Sequence, residues 1–89
     1  MDNREKEILL IIQEECAEVI QAISKVLRFG IESKHPSTGI TNKSHLEEEL
    51  GDLMAVVTLL SSETVLVENV ASAMDRKIEK LKKWSNIFN

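Results

Sequence analysis

Two pairs of carboxylates are the first chemistry this sequence offers: Glu15 with Glu18, and Glu49 with Asp52. Residues three or four apart on a helix are neighbours, so each pair projects side by side if its segment is helical. Glu15 falls in line with Ile8, Ile11, Ile12, Val19 and Ala22, and Glu49 with Leu46, Leu53, Val56 and Leu60. These acids therefore stand on the stripes that should form the core. Burying an isolated carboxylate costs several kcal/mol in practice, so inward-facing acids must share protons, meet basic side chains or bind a cation. Oxygen-only ligation suits Mg²⁺, or alternatively Mn²⁺, rather than Zn²⁺. Mg²⁺ is usually held by few carboxylates together with water and substrate phosphates, so a phosphorylated substrate is the expected partner. A single Glu-x-x-Glu pair is more often a solvated helix face; two pairs on two core stripes favour the metal. Glu14 lies at the flank of its stripe, Glu47 has a capping role open to it, and Glu48 is expected to face solvent.

The elements that must position these acids are helices. The apolar residues between Asn3 and Phe29 recur at helical spacing, and Gly30 supplies a stop, which predicts a first helix over that span. Residues 30–43 include His35-Pro36, Ser37-Thr38-Gly39 and Thr41-Asn42 and follow neither period, so they read as a loop. A loop of this length is uncommon in a small domain unless it is functional or mobile, and this one is expected to approach the ligand. Ser44-His45-Leu46-Glu47 is an S-x-x-E capping box, placing the start of a second helix at Ser44, with its pattern weakening over 61–64. A third helix is expected to begin between positions 65 and 68 and to run to about Trp84. The tail after it is expected to fray, with Ile87 and Phe88 free to dock on a partner.

Composition bounds the rest. The 89 residues contain 3 Gly, 1 Pro and no Tyr, are 43% hydrophobic and 29% charged, and fit one all-α domain, 1–89. The net charge of −4 argues against binding a nucleic-acid polymer. The lone Cys16 suits a reducing compartment, and the apolar run at 8–12 is too short for a signal peptide or a membrane span, so a cytoplasmic location is expected. Three helices make a thin bundle, and the first helix has a wider apolar face than two neighbours would cover. We therefore expect a three-helix protomer that builds an oligomeric core of four-helix-bundle type, as a homodimer or homotetramer.

Glu14-Glu15-Cys16-Ala17-Glu18, followed by Glu49-Leu50-Gly51-Asp52, resembles the EExxE and ExxD signature of the MazG-like, all-α nucleoside triphosphate pyrophosphohydrolases. The resemblance spans most of the chain, from EECAEVIQAISKVLRFG through LEEELGDLMAVV to KIEKLKKW, and is similar to the short, phage-type members. It implies Mg²⁺-dependent hydrolysis of an NTP or dNTP between the α and β phosphorus, giving the monophosphate and pyrophosphate. It further implies that Glu15, Glu18, Glu49 and Asp52 ligate the metal. Glu15 and Glu18 are both candidates for the catalytic base, with Glu14 acting through a water as another option.

A polyphosphate also needs cations, and Lys25, Arg28, Lys77 and Lys80 are the candidates for binding substrate. Basic residues near helix C-termini are favoured by the macrodipole in any case. Asn42, Lys34 and Lys43 are weaker candidates from the loop. His35 and His45 are expected not to be ligands, and Trp84, Phe29 and Phe88 at helix ends are packing anchors more often than base-stacking groups. Two other readings remain at this point. One is a phosphoribosyl-ATP pyrophosphohydrolase with the same metal logic; the other is a non-catalytic helical module that binds a partner through its apolar faces.

Overall fold

The computed structural model describes residues 1–89. It consists of three helices, α1 (Asn3–Phe29), α2 (Asn42–Glu63) and α3 (Val70–Trp84), with no strand beyond a single bridge between Lys34 and Thr41. The start of α1 is set by a reciprocal box at Asp2. Its carboxylate accepts from the Glu5 N–H at 2.7 Å, and the Glu5 carboxylate accepts from the Asp2 N–H at 2.9 Å. Gly30 ends α1 at φ +97, a conformation that L side chains rarely adopt.

The N-terminus of α2 differs from the expected one. The helix begins at Asn42, and the capping side chain is Thr41, whose hydroxyl accepts from the Ser44 N–H at 3.1 Å. Ser44 is thus already inside the helix, and Glu47 accepts from Lys43 Nζ at 3.0 Å instead of closing a box. Thr41 and Ser44 offer the same hydroxyl chemistry three residues apart. Thr41 takes the role because the Lys34 bridge and the Asn42 N–H to Ser33 carbonyl bond (2.9 Å) hold the chain extended up to that point.

α1 and α2 form an antiparallel hairpin. Arg4 near the start of α1 pairs with Glu63 at the end of α2. At the other end the buried Asn42 amide donates to the Gly30 carbonyl at 3.0 Å and to the Lys25 carbonyl at 3.4 Å. Asn42 is therefore a structural pin that fastens the first turn of α2 to the end of α1. The buried apolar residues, Ile8, Val19, Ala22 and Leu60, all lie in this hairpin. They are fewer than the predicted stripe: Ile11, Ile12 and Val26 are half-buried and Ile23 is exposed.

α3 starts at Val70, later than expected, and has no side-chain cap at Asn69. It does not pack along α1 or α2, and none of its residues is buried. The molecule measures 42 × 38 × 14 Å. Its thin dimension is about one helix diameter, 10–12 Å with side chains. The radius of gyration is 16.0 Å, against about 12 Å for a compact chain of this length. Domains ordinarily bury helix faces between two layers, and this chain supplies one. No helix is long and apolar enough to cross a membrane.

Candidate metal centre

The hairpin brings acids from both helices to one point. On α1, Ile8, Glu15, Val19 and Ala22 follow one another at intervals of seven, four and three, so Glu15 occupies the same stripe as every buried apolar residue of that helix. On α2, Asn42, Glu49, Val56 and Leu60 recur at seven, seven and four, which sets Glu49 between the buried pin and the buried leucine. The carboxylate oxygens of Glu15, Glu49 and Asp52 lie within 4.8 Å of one another. Glu15 and Glu49 are half-buried, while Asp52 opens to solvent.

The electrostatics of this trio are unbalanced. Glu15 Oε2 is shielded from solvent and has no hydrogen-bond partner, and an unpaired buried oxygen is costly. Burial, then the Asp52, Glu49, Glu18 and Glu14 carboxylates, push the Glu15 carboxyl above its ordinary range. No Lys or Arg pairs with any of the three acids; the nearest basic group is His45, whose Nε2 is 3.4 Å from Glu49 Oε1. An orphaned buried oxygen among all-oxygen donors, with no ammonium or guanidinium to neutralise them, fits a hard divalent cation.

Of the sequence candidates, Glu15, Glu49 and Asp52 converge. Glu18 is exposed, one turn from Glu15, and stands outside the trio while still adding its charge to it. Lys25 is half-buried at the loop end of α1. Arg28 lies over the Phe29 ring, 5.0 Å from its centroid, so both are engaged with each other at the exposed end of α1. Lys77 and Lys80 are exposed on α3 and do not meet the acids within one chain. Trp84 is exposed and carries Lys83 over its ring at 5.2 Å. The contact missed by the sequence reading is His45 with Glu49. Its signal was the four-residue spacing, which on a helix puts the two side chains together.

A family model described as the MazG nucleotide pyrophosphohydrolase domain matches residues 3–85. The chain belongs to the MazG family. The MazG match runs from the first turn of α1 to the residue after α3, so it takes in both helices that carry the acids. Comparison with curated proteins and with solved structures gives no match. MazG domains are nucleotide pyrophosphohydrolases that act on nucleotide triphosphates and generally depend on a divalent metal. The three-acid cluster is where this MazG chain has the donors for such an ion.

Proposed function

We propose that this chain is a Mg²⁺-dependent nucleoside triphosphate pyrophosphohydrolase, cleaving an NTP or dNTP between the α and β phosphorus to release the monophosphate and pyrophosphate. The observation that carries the reading is the convergence of Glu15, Glu49 and Asp52 around a buried, unpartnered carboxylate oxygen. Those three acids would hold the ion, with Glu18 one turn from Glu15 as the fourth ligand. Bound Mg²⁺ or Mn²⁺ supplies charge neutralisation at the phosphates and a lowered pKa for water. The protein's own contribution is to keep these carboxylates oriented and close together.

Glu15 and Glu18 are the candidate bases. Glu15 lies on the core stripe, and burial with its acidic neighbours pushes its carboxyl above the ordinary carboxylate range, which makes it a stronger proton acceptor than an isolated glutamate. Glu18 is solvent-facing and can pass a proton to bulk water. Lys25, Arg28, Lys77 and Lys80 are the candidate cations for the polyphosphate, and Lys77 and Lys80 would reach it from a second copy. The single helical layer, with Leu10, Ile20, Leu27, Met54 and Met74 each at least 60% exposed, supports a homodimer or homotetramer in which a second layer covers these faces. We place the enzyme in the cytoplasm, with free nucleotides and no nucleic-acid polymer as its substrates.

Pyrophosphate release from a panel of NTPs and dNTPs, with Mg²⁺ and with chelator, tests the reading, and Glu49→Gln serves as control. Release that needs the metal and disappears in Glu49→Gln is expected. A folded protein that releases nothing from any member of the panel would overturn it and favour a helical interaction module.

A further inference from the structure

The loop 31–41 closes over the end of α1 and forms a pocket of about 190 Å³. Lys25 lines it from α1, His35, Thr38 and Ile40 from the loop, and Asn42 and His45 from α2. An adjoining lobe shares Lys25, His35 and Asn42 and adds Phe29, Ser33, Lys34 and Pro36. No carboxylate lines either lobe. In a chain of net charge −4 this is a pronounced segregation, with cations and hydrogen-bond donors on one side of His45 and acids on the other. His45 joins the two, because it lines the pocket and also lies 3.4 Å from Glu49.

The loop is built to hold His35 in place. The His35 N–H donates to the Ile40 carbonyl at 2.8 Å, and the Gly39 N–H donates to the His35 carbonyl at 2.9 Å, with Gly39 at φ +73. The Ser37 N–H donates to His35 Nδ1 at 3.2 Å. With Nδ1 accepting, the neutral imidazole carries its proton on Nε2 and presents a donor. The Asn42 amide is committed to the Lys25 and Gly30 carbonyls, so it fixes the wall rather than meeting a ligand. Lys25 Nζ makes no salt bridge.

We infer that this pocket is an oxyanion subsite that receives the terminal phosphates of the substrate, the part released as pyrophosphate. The inference rests on the proposed reaction, gives Lys25 its place in it and adds the residues His35 and Thr38. A triphosphate whose reacting phosphorus sits at the acids must lay its outer phosphates on neighbouring protein. The cavity that adjoins the acids through His45 offers an ammonium, an imidazole N–H and a hydroxyl. A nucleobase would call for a free stacking wall; Ile40 is the one hydrophobic side chain of the main lobe, and Phe29 in the adjoining lobe is already engaged by Arg28.

Inorganic pyrophosphate is the probe, titrated into the full chain in metal-free buffer so that binding does not run through the carboxylates. The expected result is a saturable shift of the His35 imidazole NMR signals. Lys25→Gln and His35→Gln should each weaken pyrophosphate binding about tenfold, as expected for loss of a charge-assisted or donor contact, and raise KM for a nucleoside triphosphate by a similar factor with kcat little changed. Lys25→Arg, which keeps the charge, should restore most of the affinity and guards against a folding defect. Pyrophosphate that leaves the His35 signals unmoved, or variants with wild-type affinity and KM, would overturn the inference while turnover by the wild type leaves the reaction standing. Pyrophosphate binding through Lys25 and His35 in a protein that hydrolyses no triphosphate would instead sink the reaction and retain the anion site.

Discussion

The α1–α2 hairpin and α3 solve the same problem in opposite ways. All the buried residues are in the hairpin, where each helix covers the other and a pinned end at Asn42 sets the register. α3 is strongly amphipathic, with Val70, Met74, Ile78 and Leu81 four, four and three apart on one side, yet it buries none of them. The hairpin can hold a precise arrangement of acids because its packing is internal. The α3 stripe finds no complement within the chain, and the basic residues of that helix, among them Arg76, Lys77 and Lys80, stand apart from the acids with it. A site that needs both acids and these bases would then be assembled from two copies.

The largest expected effect separates the two regions directly. Leu60→Ala, at a position 3% exposed, should cost about 2–4 kcal/mol of stability by denaturant titration, as for a large-to-small change in a core. Met74→Ala in α3, 64% exposed in one chain, should match that loss only if the stability is measured at concentrations where the chain is associated, and should fall towards zero on dilution. Dilution-independent loss at Met74 would end the contrast. Next in size is Asn42→Ala, which leaves the Gly30 and Lys25 carbonyls without their donor and should cost about 1–2 kcal/mol.

Smaller, and opposite in sign, is Glu15→Gln. Because the native Glu15 carboxyl is pushed above its ordinary range, the folded metal-free protein holds a proton there that the unfolded chain has already released. The contribution of Glu15 to stability is therefore most favourable in acid and is lost as pH rises through the interval between the ordinary and the raised value. Glu15→Gln should flatten that slope and raise the Tm of the metal-free protein at neutral pH; a Tm that falls would show that the carboxylate is paired after all. The smallest effect is Arg4→Ala. Arg4 and Glu63 are both about half exposed, so removing the pair should change stability little, and that little should shrink further as salt is added.

Much of the hairpin could be read from residue spacing, since Glu15 shares a 3.6-residue stripe with Ile8, Val19 and Ala22, and Glu49 shares one with Leu60. Periodicity reports which side chains share a face, and two acids on two core faces can only meet if those faces pack. The capping residue of α2 was not legible in this way, because Thr41 and Ser44 are equivalent locally and the choice is made by the Lys34 bridge across the loop. Nor was the pocket around His35. A loop without a period takes its shape from hydrogen bonds such as His35 to Ile40, which composition does not encode. For α3 the stripe showed that a face needs covering and left open which chain covers it.

The central claim is that Glu15, Glu49 and Asp52 stay together at the cost of mutual repulsion because a divalent cation compensates for it. Calorimetric titration of Mn²⁺ and Mg²⁺ into the metal-free chain, in parallel with Glu15→Gln, tests this most directly. Saturable binding by the wild type should tighten as pH rises, since the proton on Glu15 must leave first. In Glu15→Gln it should weaken by at least about a hundredfold, because even partners that only orient a metal's ligands are worth 10–100-fold. Equal binding by the two proteins, or none by the wild type, would contradict the account.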